Sequence, residues 1–268
     1  MAGLQKLSGA AEASLSMVSP ETTVAALTTL VLALGVRRIG AIREVTPALI
    51  RELTVQDREY LLRALRARNF GTTMWIQLAC PREDCGEPME MPLKLDALPI
   101  EKRPLASRSF VVNLPPAVEF RLPCGGDVEE AAGAALGDDC AVRDFFLARC
   151  LKRVGSRPTR GAVPASLPDA ARAAIEERME DLSPAVTPEL EGQCPSCQRE
   201  FSAMIDLTDA ILHEFLERAR RLERDVHQLA WHYHWAEADI LAMPREKRLR
   251  YLKLIEDQND YGGAGVWG

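Results

Sequence analysis

Aromatic residues are scarce in this 268-residue chain: they make up 6% of it, as four Trp, four Tyr and seven Phe. Histidine occurs only four times, always between His213 and His234. Positive charge is not in excess, because 33 Lys plus Arg face 39 Asp plus Glu and leave a net charge of −6. A general nucleic-acid binder carries the opposite balance, and single-strand binders add aromatic-studded basic strands. Long hydrophobic runs are missing too. The longest, Val24 to Val36, has 13 residues and contains two Thr and a Gly, too few to span a bilayer. Arg37 and Arg38 follow that run instead of preceding it, which argues against a secretory signal. The expected compartment is the cytoplasm, where the seven Cys stay reduced or bind metal. Absent as well are a P-loop, a dinucleotide glycine fingerprint and a Gly-x-Ser-x-Gly elbow. What is present is an ordinary globular balance, 47% hydrophobic and 27% charged, sized for one elaborate domain or two small ones.

Residues 1–20 are rich in Ala, Ser and Gly with little periodicity, the composition of a mobile arm unless something holds it. Residues 22–35 are almost uniformly small and apolar and predict a helix buried against a partner or the core. Thr54, with Asp57 three residues on, forms an acidic variant of the capping box. Leu53, Leu61, Leu62 and Leu65 give the helix that follows an apolar face, and Gly71 ends it. The period then changes to two. Residues 73–78 read as a strand, as does the alternation Met89, Met91, Leu93, Leu95. Further strands are expected at 110–112 and 118–122. Asp127 is a candidate cap, with Glu130 opposite it, for a helix ahead of a second one over 141–154. A linker is expected over 155–161, a helix over 169–181, and strand character near Cys194 and again over 201–207. One long helix capped by Thr208 or Asp209 is expected over 208–231. A last one starts at Pro244, a favoured first-turn residue, and buries Leu249, Leu252 and Ile255. The glycine-rich tail from Gly262 carries no fold signal.

Two segments repeat one pattern. Cys80-Pro81-Arg82-Glu83-Asp84-Cys85-Gly86 leads into an alternating strand, and so does Cys194-Pro195-Ser196-Cys197. Each turn offers two thiolates from one knuckle, and two facing knuckles fill the four tetrahedral positions of a zinc ion. The expected cofactor is therefore a structural Zn²⁺ on Cys80, Cys85, Cys194 and Cys197. With all four positions taken by protein, such an ion has no open site for catalysis. The bland alternative is two unrelated hairpins with reduced cysteines. Cys124, Cys140 and Cys150 have no knuckle and read as small buried hydrophobes.

Other signals imitate chemistry. Cys194-x-x-Cys197 has thiol-redox spacing, but a redox cysteine sits at a helix N-terminus and a strand is expected here. His213-Glu214 opens like a metalloprotease helix motif, yet Glu217 stands where the second histidine belongs. His232 and His234 are two apart and point in different directions on a helix.

The order of these pieces resembles the baseplate or tail-hub assembly proteins of contractile-tailed phages and of related phage-tail-like injection systems. The likeness covers residues 45–215. It rests on the capped helix with Leu61-Leu62, the Cys-Pro knuckle, the segment Phe120-Arg121-Leu122-Pro123-Cys124-Gly125-Gly126-Asp127 before a helix, and the Cys-Pro-x-Cys knuckle. A second stretch, Leu229 to Trp235 with Met243-Pro244 and Arg248 to Ile255, looks like a small helical module of tail proteins. Residues 1–44 carry no resemblance, and the first knuckle is longer by two residues.

The expected architecture is α+β: a zinc-ribbon-like β-hairpin pair with a long helical insertion and flanking helices. Its parts are an arm and apolar helix (1–44), a baseplate-type domain (45–215) with insertion 99–190, and a C-terminal helical module (216–268). The resemblance implies a non-enzymatic structural or assembly protein. Its partners would be other baseplate, hub, tube or spike proteins, with no small-molecule substrate, nucleic acid or membrane span. Leu30, Leu32 and Leu34 on the apolar helix and Trp231, Tyr233 and Trp235 are the candidate contact residues. Two other classes remain open at this stage: a zinc-ribbon adaptor for nucleic acid or transcription, and a thiol oxidoreductase.

Overall fold

The computed structural model describes residues 2–98, 107–134, 136–159, 161–164, 167–183 and 189–262, with side chains to residue 258. The tail past Gly262, Arg160 in the expected linker, and parts of the 99–190 insertion, including its first residue, lie outside the described residues.

The chain opens with β1 (Ala2–Leu4), α1 (Gly9–Ser16), α2 (Val24–Gly35) and β2 (Val36–Ile39). Ser8 caps α1 through the Ala11 N–H, and Thr23 caps α2 through the Ala26 N–H, each satisfying an orphan donor. Strands β1 and β2 pair antiparallel, and Leu7, Ala11 and Leu15 are buried in the main core. Residues 2–18 are thus held in place rather than loose. Next come α3 (Pro47–Glu52) and α4 (Val55–Phe70). As the sequence predicts, Thr54 accepts from the Asp57 N–H at 3.2 Å and Gly71 closes α4 at φ 89°.

The hairpin β3 (Thr73–Ala79) and β4 (Pro88–Lys94) is antiparallel from Thr73↔Lys94 to Ala79↔Pro88. A four-stranded meander follows: β5 (Phe110–Val112), β6 (Val118–Phe120), β7 (Leu151–Val154) and β8 (Arg157–Pro158). Helices α5 (Gly125–Gly133) and α6 (Asp139–Cys150) separate β6 from β7, and α7 (Asp169–Leu182) comes after β8. The expected helix over 141–154 is therefore four residues too long. Leu151 pairs with Phe120 and Val154 with Val118, which turns that end of the segment into a strand. Gly155, at φ 58°, makes the turn into β8 where a linker is expected. Val118, Phe120, Leu147, Leu151 and Ile175 form this region's own small core.

The second hairpin is β9 (Glu189–Gln193) with β10 (Glu200–Met204). It leads into α8 (Leu207–Arg220), α9 (Leu222–Tyr233), α10 (Glu237–Ala242) and α11 (Arg245–Gly262). The single helix expected over 208–231 breaks at Arg221, and its cap is Asp206, which accepts from the N–H groups of Thr208 and Asp209. His234, at φ 55°, ends α9.

The main core gathers α1, α2, α4, α8 and the inner face of β3–β4 around Val31, Leu32, Leu62, Leu65, Met74, Ile76, Ile211 and Phe215. Helix α2 is its centre and touches α3, α4, α5 and α8. Gly35 lies so close to Leu65 that a Cβ there would fall 2.4 Å from the leucine methyls. No described helix is long and apolar enough to cross a membrane.

Candidate metal centre and contact surfaces

The two hairpins pack face to face through Leu78, Met89, Met91, Phe201 and Ala203, with the cysteines at one end. Gly192 gives Met91 room, since a Cβ there would meet its methyl at 2.9 Å. Both knuckles are built alike. The Cys80 N–H bonds the Glu87 carbonyl at 2.9 Å, and the Cys194 N–H bonds the Arg199 carbonyl at 3.0 Å. In each, the residue after the second cysteine is left-handed: Gly86 at φ 59° and Gln198 at φ 60°. The two extra residues of the first knuckle form a turn in which the N–H groups of Cys85 and Gly86 both bond the Arg82 carbonyl. Arginines cross between the knuckles. Arg82 donates to the Glu200 carbonyl at 2.8 Å, and Arg199 donates to both Asp84 carboxylate oxygens at 2.7 Å.

The four sulfurs lie within 4.8 Å of one another. Cys80 Sγ is 3.9 Å from Cys197 Sγ, and Cys85 Sγ is 3.9 Å from Cys194 Sγ. None is in a disulfide. A tetrahedral ion with metal–sulfur bonds of about 2.3 Å needs sulfur–sulfur edges of about 3.8 Å, so the set fits one ion. Backbone N–H groups two residues on, those of Arg82, Glu87 and Arg199, hydrogen-bond Cys80, Cys85 and Cys197. The thiols nonetheless compete for charge. Cys197, aided first by the Arg199 N–H and then by its side chain, is lowered to about 6. Cys85 is pushed up to about 11: the Glu87 N–H pulls it down, but desolvation and the neighbouring sulfurs outweigh it. Four thiolates this close need a cation between them, and a metal ion would supply it. Among the described residues no histidine joins a metal-ligating group of three or more.

The redox reading fails on placement. Cys194 follows a strand and Cys197 precedes a left-handed turn, so neither has a helix N-terminus to stabilise its thiolate. Glu214, of the metalloprotease-like pair, is held by Arg66 at 2.8 Å and by Arg218 at 2.6 Å, a structural use. Of the unpaired cysteines, Cys150 is buried, with a thiol pushed up to about 12 by desolvation. Cys124 is half-buried, and Cys140 is exposed, against expectation.

The candidate contact residues separate. Leu32 has no exposed surface. It is core, because four helices of this same chain cover α2, and it is unavailable to a partner. Leu30 and Leu34 are half-buried and packed on that core. Tyr233 and Trp235 stack at 4.6 Å and meet Tyr251 edge-on at 5.4 and 4.9 Å, forming a satellite core with Leu229 and Ile240. Trp231 alone stands out, 73% exposed with His227 stacked against it.

Sequence reasoning missed the role of Asp127. It stands at the third position of α5, not at its cap, and is fully buried. Its carboxylate accepts from Arg121 at 2.5 and 2.8 Å, from Arg149 at 3.1 Å and from the Cys124 N–H at 2.9 Å. Burial alone would raise its pKa, yet these donors hold it well below the usual carboxylate range. Beside it, the Gly125 N–H bonds the Leu53 carbonyl, and the Val55 N–H bonds the Pro123 carbonyl. Gly125 is required there, since a Cβ would fall 1.6 Å from the Arg58 guanidinium, itself buried on the Ala25 carbonyl and Thr29 hydroxyl. This segment welds α5 onto α2 and α4. Only the spacing of Arg121 and Asp127 could have signalled it.

No curated protein and no solved structure matches the chain. A family model, described as T4 bacteriophage base plate protein, matches residues 21–213. That span takes in both knuckles and the Arg121–Asp127 segment, and it reaches back through α2, where the sequence alone offers no likeness. With most of its length inside that match, the chain belongs to the T4 bacteriophage base plate protein family.

Proposed function

We infer that this protein is a structural component or assembly factor of a contractile tail-like baseplate, that it works by binding other tail proteins, and that Zn²⁺ on Cys80, Cys85, Cys194 and Cys197 is part of its fold. The family supports the baseplate role and suggests a non-enzymatic one. The observation that carries the zinc is the cage of four sulfurs within 4.8 Å, each knuckle closed by its own left-handed turn. Zinc suits four thiolates and no open position. The ion joins β3–β4 to β9–β10, and these hairpins flank the residues between 99 and 190, so the metal closes that insertion at its root. Hub, tube, spike and other baseplate proteins are the expected partners, and assembly takes place in the cytoplasm.

Two measurements test this reading. Removing the gene should abolish assembled particles in electron micrographs. Metal analysis of the purified protein should give about one zinc per chain. Normal particles without the gene would overturn the baseplate role, and protein that is fully folded without metal would overturn the zinc.

A further inference from the structure

Two hairpins leave four outer strand edges. Edges that solvent reaches are usually protected by proline or charge, because unpaired backbone groups recruit other strands. Pairing parity shows which residues face outward from β3–β4. The Leu95 N–H bonds the Thr72 carbonyl and the Cys80 N–H bonds the Glu87 carbonyl. In an antiparallel ladder bonded pairs alternate, so Met74, Ile76 and Leu78 face β4, whereas Thr73, Trp75, Gln77 and Ala79 turn their N–H and C=O groups outward. On β4 the outward residues are Pro88, Glu90, Pro92 and Lys94, an edge shut by two prolines and two charges. The edges of β9 and β10 carry Glu189, Glu191 and Glu200. Strand β3 has neither proline nor charge at its outward positions. Arg66 caps only the Thr73 carbonyl, at 2.9 Å, and no described strand pairs with the rest.

The outer face of the same strand carries a knob and a hole. Trp75 is 66% exposed. Four residues on, beside Ala79, a cavity of about 410 Å³ is lined by Gln77, Leu78, Ala79, Pro88, Met89 and Glu90. We propose that β3 pairs antiparallel with β3 of a second copy of this chain about a two-fold axis at Gln77. The register follows from the spacing. Gln77 meets Gln77 of the partner copy, and Trp75 lies across Ala79 of the partner copy, where the cavity receives its ring. The same contact recurs by symmetry, as an isologous interface requires. Across the four-stranded sheet one row reads Pro92, Trp75, then the partner copy's Ala79 and Pro88, with no charge in it. A large side chain against a small one and an edge without repulsion identify a second copy as the occupant.

Sedimentation velocity on the full chain, from about 1 µM to about 500 µM, reads the association directly. Wild type should show a dimer fraction that rises with concentration. Gln77→Pro, which removes the central outward donor, should be monomeric. Trp75→Ala and Ala79→Trp should each weaken the dimer at least about tenfold, as loss of an aromatic anchor does. The double variant W75A/A79W, which exchanges knob and hole, should regain it. All three positions are exposed, and circular dichroism checks that each variant keeps the wild-type fold. A wild type that is monomeric throughout would overturn the proposal. So would Gln77→Pro dimerising as wild type, or a double variant no tighter than the single ones. None of these readouts depends on the baseplate role.

Discussion

Glu12 on α1 and Arg248 on α11 form an ion pair closed off from solvent, although 236 positions separate them. Arg248 also donates to the Met243 carbonyl at 2.9 Å, and Arg245 approaches the other Glu12 oxygen at 3.6 Å. Burial raises the Glu12 pKa even against the pull of both arginines. Removing one partner strands a charge in the interior, which costs about 3–5 kcal/mol. Arg248→Ala should therefore lower the unfolding free energy by that amount and open α1 to limited proteolysis. Replacing both partners with Leu should restore most of it. Urea denaturation of the three proteins measures the difference.

Asp127 sets the acid limb of stability. Its folded pKa lies below the unfolded value of about 3.9. Stability from this group is complete above that value and is lost as pH falls from it towards the folded pKa. Glu12, shifted the other way, loses stability as pH rises through its raised pKa. Asp127→Asn should destabilise by about 3–5 kcal/mol at neutral pH, since Arg121 and Arg149 lose their common acceptor. It should also flatten the dependence below pH ~4. Melting curves from pH ~2 to ~7 test both statements.

The cysteine cage predicts a common fate for four single substitutions. Cys80→Ser, Cys85→Ser, Cys194→Ser and Cys197→Ser should each abolish bound zinc and lower the melting temperature sharply, because structural zinc is worth about 10–16 kcal/mol in finger peptides. Cys140→Ser, at an exposed position, should change neither. A strong chelator should mimic the four and expose thiols to alkylation in the wild type. Metal content and thiol titration are the readouts.

Trp231 and Trp235 should behave differently. Trp231 is 73% exposed, so Trp231→Ala should leave stability within about 0.5 kcal/mol. Trp235 stacks on Tyr233 and meets Tyr251 edge-on, and its loss should cost about 2–3 kcal/mol. If Trp231 binds a tail partner, its variant stops particle assembly with the fold intact. Normal particles from Trp231→Ala would remove it from the contact surface.

Local signals made much of this legible in the sequence. The alternation at Met89, Met91, Leu93 and Leu95, the Thr54–Asp57 cap and the paired knuckles are written within a few residues. What escaped depends on distant partners. Leu151 to Val154 continues a helical run until β6 pairs with it. Arg221 interrupts a helix without glycine or proline, at ordinary right-handed angles. The first twenty residues look loose because the arginine that holds them comes 236 positions later. Leu32 looks like a partner surface because composition records that a helix is apolar, not which helices of its own chain surround it. For the site, the sequence named all four cysteines but could not reveal the crossed arginines or Asp127, whose donors come from its own segment and from Arg149 at the end of α6.

The distance between the knuckles also has a clock. Cys85 and Cys194 are 109 positions apart, and ribosomes add about 5–20 residues per second. The first pair of thiols therefore leaves the exit tunnel roughly 5–20 s before the second. For that interval β3–β4 has neither its facing hairpin nor a complete ligand set, and α1 still awaits α11. Closure of the cage therefore waits for the second knuckle, however early the first is made.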